Sequence, residues 1–146
     1  MHLELITFEV AGQRFGLDIM AVREIRAWTP ATPLPQVPHY VSGVVNLRGT
    51  VLPVIDLAAR LGWPATDPTP RHAIIVVQLG GKVMGLIVDA VSDIVTLPAN
   101  SLQQATGGCN DELVPFLHGL AALADRMVMV LDLDRLAATE QMASAA

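Results

Sequence analysis

The hydrophobic and polar positions of this chain alternate in the way that is typical of β-strands. Between residues 44 and 57 the odd positions carry aliphatic side chains except at Gly49 and Pro53, while the even positions are mixed. A period of two with one apolar face predicts an extended chain packed against a core. Gly49 and Pro53 indicate a bend or a sheet edge within this stretch, because proline cannot donate a hydrogen bond to a neighbouring strand.

Residues 73–88, "AIIVVQLGGKVMGLIV", predict two buried strands joined by a tight turn. Gly80 and Gly81 separate two apolar, β-branched runs, and such a glycine pair indicates a hairpin.

Helical patterns are short and few. Residues 56–63 predict two helical turns that end at Gly62, and residues 19–27 predict a single turn after a strand. Residues 132–145 predict a short C-terminal helix. Helices therefore contribute little, and the predicted fold class is all-β.

Two segments of the first half of the chain have similar counterparts in the second half. Residues 12–25 align with residues 81–94 without a gap, and residues 51–57 resemble residues 127–133. One interpretation is chance similarity among apolar strands. The other is an internal repeat, which is favoured because the two segments recur in the same order at nearly the same separation.

A repeat predicts two small β-barrels within a single domain over residues 1–146. We place the first barrel at about 1–68 and the second at about 69–146. Each half alone would be marginally stable at this size, so the barrels are expected to share an interface. Strand exchange between them is left open.

Composition excludes several classes of partner. The chain has 146 residues, a hydrophobic fraction of 52% and a net charge of −5, so it lacks the basic surface that nucleic acid or an anionic membrane requires. No uninterrupted apolar stretch reaches the roughly 18 residues of a transmembrane helix. The lone Cys109 suits a reducing compartment, and Glu4 and Glu9 stand where a signal peptide needs basic residues. We expect a cytoplasmic protein without membrane insertion.

No catalytic, cofactor-binding or metal-binding group is predicted. The histidines are scattered, and neither Ser42 nor Ser92 lies in a nucleophile motif. Asp56 and Asp132 close equivalent strands, which favours a turn or helix-capping role over an acid pair. A small barrel that binds a metabolite or catalyses a modest reaction stays a rival interpretation, and it requires a closed pocket with convergent polar groups.

Arg48 is a charged residue within the apolar stretch 44–57, and its position there requires an explanation. A buried, unpaired guanidinium costs several kcal/mol, so Arg48 is either exposed to solvent or paired. One interpretation is a solvated arginine beside a strand. The other is an arginine held at the edge of an apolar groove by a carboxylate, for which Glu24 is the candidate, with Val22 lining the groove.

Three segments together resemble the CheW-like family of bacterial chemosensory coupling proteins: "FGLDIMAVREI", "TPLPQVPHYVSGVVNLRGTVLPVIDL" and "GLIVDAVSDI". The resemblance runs from residue 3 to about 137. It implies two five-stranded, SH3-like β-barrels and a scaffold without catalytic activity. It also implies two partners: the cytoplasmic signalling tip of a chemoreceptor and the regulatory domain of a CheA-type histidine kinase.

The resemblance further implies a receptor-binding groove and an assembly. Carried over by motif, the groove comprises Val22, Glu24, Gly43, Asn46, Arg48, Leu86 and Val88. We expect a monomer in dilute solution that joins rings or arrays beneath membrane-anchored receptors. Whether the array serves flagellar motility or a pilus or biofilm system is open at this point, because one fold and one groove suit either.

Overall fold

Ten β-strands provide nearly all of the regular structure in the computed structural model, which describes residues 2–64, 66–79, 81–103, 117–123 and 126–133. The strands are β1 His2–Val10, β2 Gln13–Asp18, β3 Val22–Ala27, β4 Val41–Leu47, β5 Thr50–Asp56, β6 Ala73–Leu79, β7 Lys82–Val88, β8 Ala90–Pro98, β9 Leu117–Leu123 and β10 Arg126–Leu131. They form two five-stranded sheets. The all-β prediction is confirmed.

One of the predicted helical segments is shorter than its pattern predicts, and another is the single turn that was expected. The segment 56–63 forms one α-helical turn, α1 Leu57–Arg60, which the Asp56 side chain caps. The segment 19–27 forms a single 3₁₀ turn, Ile19–Ala21, and then enters β3. Beyond Leu133, the predicted C-terminal helix lies outside the described residues.

Both predicted apolar stretches are hairpins. Strands β6 and β7 pair antiparallel as expected, with Leu79 opposite Lys82. The stretch 44–57, however, is not one extended strand. It is the β4–β5 hairpin, in which Leu47 lies opposite Thr50. The bend that Gly49 indicates is a complete reversal of the chain.

The two sheets confirm the repeat and show how it is used. Their strand orders are β8-β1-β2-β10-β9 and β3-β6-β7-β5-β4, and raising or lowering each strand number by five converts one order into the other. Each sheet contains a hairpin from the other half of the chain. The predicted boundary near residue 68 therefore does not separate the sheets, because β1–β2 and β6–β7 are exchanged between the halves.

Equivalent glycines stand where the exchanged hairpins pair in parallel with the rest of their sheets. Gly16 lies opposite Val130 on β10, and Gly85 lies opposite Val54 on β5. A Cβ atom at Gly85 would lie 2.8 Å from the Cγ2 atom of Ile74. Side chains from β6 and β5, the two neighbours of β7, fill the space at this position, which is the reason that it holds glycine.

Three apolar clusters form the core. The largest draws side chains from the two exchanged hairpins and from α1 and lies between the sheets, and a smaller cluster lies in each sheet. Strand β6 serves two of them: Ile75 and Val77 point into the central core, whereas Ile74 and Val76 point into the smaller one. A strand that is buried on both faces reads as a continuous apolar run, as this one does.

Candidate partner-binding surface

Arg48 occupies a tight turn between β4 and β5 and does not lie on a strand face. Its φ is +52° and that of Gly49 is +88°, the combination that a two-residue type I′ hairpin turn requires. The side-chain oxygen of Asn46 accepts a hydrogen bond from the backbone N–H of Gly49 at 2.9 Å. Asn46 thus holds the turn that projects Arg48 into solvent.

Arg48 pairs with Glu24. Its Nη2 atom lies 2.7 Å from Glu24 Oε1, and the two side chains are 75% and 27% exposed. Charge-assisted hydrogen bonds of this length are short and directional. The ion pair expected from the sequence is present, and the two interpretations of Arg48 merge, since the arginine is both exposed and paired.

A β-bulge brings a second arginine to the same place. Val22 on β3 lies opposite Val77, whereas Glu24 lies opposite the adjacent residue, Val76. Arg23 is the extra residue between them. In a regular strand Arg23 and Glu24 would point to opposite faces, but a bulge redirects side chains. Both residues consequently line one cavity.

That cavity has a volume of about 360 Å³. Its apolar lining comes from residues of four different strands or their ends: Leu47, Leu52, Val76 and Val83. The polar lining consists of Arg23, Glu24, Arg48 and Thr50. The result is an open cavity whose exposed surface is mainly polar, with two guanidinium groups and one carboxylate, and whose apolar part comes from the half-buried Leu47 and Val83.

Two other predicted groove residues have structural roles nearby. Gly43 has a φ of +147°, and a Cβ atom there would run into the backbone carbonyl of Thr32. The glycine lets the connector before β4 lie against that strand, where Thr32 and Val44 exchange backbone hydrogen bonds of 2.9 Å. Val22 is half-buried and packs against the central core.

Leu86 and Val88 do not belong to the surface. Each is only 1% exposed and is part of the central core. Strand β7 pairs with β6 on one side and β5 on the other, so it lies in the middle of its sheet. Their assignment to the groove was wrong, because "GLIVDAV" is apolar for reasons of packing.

The structure adds exposed apolar residues that the motifs did not indicate. Ile25 is 43% exposed on β3, and Ile94 is 59% exposed on β8. They lie opposite Ile75 and Ile6, two members of the central core. Directly opposite residues share a face of the sheet, so both isoleucines extend the central core towards solvent. The repeat aligns Ile25 with Ile94, which was the available signal.

A second pair of exposed apolar residues follows the repeat in the same way. Val51 on β5 is 62% exposed and Met127 on β10 is 47% exposed. They occupy matching positions in the two similar segments 51–57 and 127–133.

The remaining polar groups show structural chemistry. Asp56 is 5% exposed and accepts hydrogen bonds from the backbone N–H and hydroxyl of Thr66 at 2.6 and 2.7 Å. Its side chain also caps α1, which confirms its predicted capping role.

Within the described ranges, no three His, Cys, Asp or Glu side chains are grouped to hold a metal ion. Cys109 lies outside those ranges. In the same part of the chain, no helix has the length and apolarity to cross a membrane.

Comparison with known proteins identifies the family. The model of the CheW-like domain matches residues 4–141. The chain is 50% identical over 138 residues to chemotaxis protein CheW of Rhizobium meliloti, covering 94% of this chain and 89% of that protein. It is 31% identical over 115 residues to Protein PilI of Pseudomonas aeruginosa, covering 79% of this chain and 65% of that protein.

A solved structure agrees with the sequence relatives. The crystal structure of the scaffolding protein TtCheW from Thermoanaerobacter tengcongensis superimposes with a TM-score of 0.84 at 32% identity, covering 93% of this chain and 88% of that one. The two five-stranded sheets are thus those of a CheW scaffold. The chain belongs to the CheW-like family.

Proposed function

We propose that this chain is a non-catalytic adaptor that couples the cytoplasmic signalling tip of chemoreceptors to the regulatory domain of a CheA-type histidine kinase. The observation that carries the proposal is the Arg48–Glu24 ion pair beside an open cavity with a partly apolar lining, in a chain that belongs to the CheW-like family. We place the protein in the cytoplasm, beneath membrane-anchored receptors.

The shape and chemistry of the surface suit a helical partner. A receptor tip is a helical hairpin, and an amphipathic helix binds by laying its apolar face on an aliphatic surface. Leu47 and Val83 offer such a surface, while Arg48 and Glu24 offer directional contacts beside it. Charged groups in this position contribute orientation and selectivity more than affinity, which fits an adaptor that must also dissociate.

The proposed receptor-facing residues are Val22, Glu24, Asn46 and Arg48, together with the exposed Ile25 and Ile94. Gly43 acts on this surface indirectly, by letting the connector lie against β4. Ile25 lies opposite Ile75 of the central core, whereas Glu24 lies opposite Val76 of the smaller cluster, so the isoleucines would form an apolar contact separate from the cavity.

We further propose that the protein is a monomer in dilute solution and enters rings or arrays with the kinase. Weak individual contacts allow such assemblies to remodel. Light scattering over a range of concentrations tests this directly. A dimer whose mass does not change on dilution would contradict it.

The second candidate is the same adaptor role in a non-flagellar system that controls a pilus or a biofilm. The observation that favours it is the 31% identity to Protein PilI. Deletion of the gene separates the two: loss of swimming chemotaxis supports the first candidate, whereas intact swimming with defective surface motility or biofilm formation supports the second.

The experiment that tests coupling itself is a reconstitution. Receptor-containing vesicles and the kinase from the same genome are combined with and without this protein, and kinase autophosphorylation is measured. We expect the receptor to alter the kinase rate only when the protein is present. A receptor effect that is the same without the protein would contradict the proposal.

A further inference from the structure

Arg23 is the cation at the candidate surface that no carboxylate of the described residues neutralises. Arg48 is paired with Glu24 at 2.7 Å, whereas Arg23 has no salt bridge within the described part of the chain. It is exposed, and it lines the same cavity as the pair. The cavity therefore carries one uncompensated positive charge, in a protein whose net charge is −5.

The bulge that places Arg23 has a counterpart in the other sheet. On β1, Ile6 lies opposite Ile94 and Phe8 lies opposite Val91, so Ser92 and Asp93 together face the single residue Thr7. The alignment of 12–25 with 81–94 puts Ser92 at the position of Arg23 and Asp93 at the position of Glu24.

The two bulges are used differently. In the second one, the Thr7 hydroxyl accepts a hydrogen bond from the Asp93 N–H at 3.0 Å and donates one to the Asp93 carbonyl at 3.1 Å. The backbone polar groups of Asp93 in this bulge are therefore satisfied within the sheet. In the first, Val76 stands where Thr7 would be, as each lies opposite an equivalent glycine. No hydroxyl closes that bulge, and its polar side chains line the open cavity. The repeat thus acts as an internal comparison, and only the first copy carries a cation.

We propose that Arg23 binds a carboxylate of the receptor hairpin and so selects receptors that carry an acidic residue beside aliphatic ones. This inference rests on the proposed function and names the chemistry of the partner. The half-buried Leu47 and Val83 offer a small contact for the apolar neighbours, while the guanidinium fork binds a carboxylate with two donors. An arginine that is not already neutralised is the one free to form this contact.

The test compares two substitutions that change the net charge equally. Arg23→Gln removes the cation at the cavity, and Arg71→Gln removes an exposed arginine in the turn before β6. The dissociation constant of each variant for a soluble chemoreceptor signalling hairpin is measured at low and at high salt. We expect Arg23→Gln to weaken binding about 3- to 5-fold at low salt, with a smaller loss at high salt, and Arg71→Gln to stay within about twofold of wild type.

A charge exchange identifies the partner group. Each acidic residue of the hairpin is changed in turn to lysine and titrated against Arg23→Glu. We expect one hairpin variant to restore binding, which a purely structural role of Arg23 would not produce. Unfolding midpoints of the Arg23 variants should match wild type, because surface substitutions change stability little.

The possible failures are distinguishable. If wild type does not bind the hairpin, the proposed function fails and this inference fails with it. If wild type binds but Arg23→Gln behaves as Arg71→Gln does, or if no lysine variant restores binding to Arg23→Glu, the inference alone is wrong. A loss of kinase-domain binding with receptor binding intact would also overturn it.

Discussion

Glu24 on β3 and Arg48 in the β4–β5 turn are 24 residues apart in the chain and 2.7 Å apart in space. The contact joins one edge of the sheet β3-β6-β7-β5-β4 to a hairpin turn at its other edge, since β3 and β4 are its two outer strands. A five-stranded sheet that curls into a barrel brings its outer strands towards each other. The ion pair therefore stands where the barrel closes, beside the cavity.

The first prediction is that the two residues act together. Glu24→Ala, Arg48→Ala and the double variant are compared in receptor binding, and the loss in the double variant should be smaller than the sum of the single losses. In unfolding free energy the coupling should be only about 0.2–1 kcal/mol, because the Arg48 side chain is 75% exposed to solvent. The same cycle on Glu9 and Arg14, 3.5 Å apart, is the control. Strictly additive effects on binding would show that the pair has no joint role.

Gly43→Ala should destabilise the fold by about 2–4 kcal/mol. The position combines a positive φ with a Cβ that would overlap the Thr32 carbonyl. Gly49→Ala is the matched control, because its φ of +88° is also positive but its Cβ would meet nothing within 4 Å, so only the backbone strain of about 1–2 kcal/mol remains. Urea unfolding measures both. If Gly43→Ala lost receptor binding at unchanged stability, Gly43 would be a direct contact.

Leu86→Ala should cost about 2–5 kcal/mol in unfolding free energy, the range for a large-to-small change in a packed core. Leu86 is 1% exposed and Val51 is 62% exposed, so Val51→Ala should lie within about 0.5 kcal/mol of wild type. Similar losses for the two variants would contradict the assignment of Leu86 to the central core.

Ile25→Ser and Ile94→Ser should weaken receptor binding while leaving the unfolding midpoint close to that of wild type. Both side chains are partly exposed at the edge of the central core, and burying an aliphatic side chain at an interface contributes about 1–2 kcal/mol. Leu34→Ser, a change at 40% exposure in the proline-rich connector, is the control. Equal binding by all three variants would remove the isoleucines from the proposed surface.

The repeat and the strands could be predicted from the sequence because each depends on local pattern. The period of two along 44–57 and the glycine pair at 80–81 both mark hairpin strands that the structure contains. The turn at Arg48 was harder to predict. An arginine rarely adopts a positive φ, and the alternation of side chains continues across the turn without a break.

The exchange of hairpins between the two sheets could not be predicted, because the repeated segments are too similar to show which sheet each hairpin joins. Strand β2 resembles β7, so either could pair with β10 on the basis of its side chains. The choice is made by the tertiary arrangement. The bulge at Arg23 is hidden for a related reason: it depends on the register between β3 and β6, which no single strand encodes. Leu86 and Val88 were wrongly assigned to the groove because the family motif identifies the segment but does not show which of its side chains are exposed.

The adaptor role is tested most sharply by a titration of wild type and Arg48→Glu against a soluble receptor signalling hairpin and the isolated kinase regulatory domain. Arg48→Glu places a second carboxylate beside Glu24, so we expect receptor affinity to fall about tenfold or more. Kinase-domain affinity and the unfolding midpoint should stay unchanged. If the variant bound the hairpin as tightly as wild type, Arg48 would have no part in recognition. If folded wild type bound neither cognate partner, the adaptor function itself would be wrong.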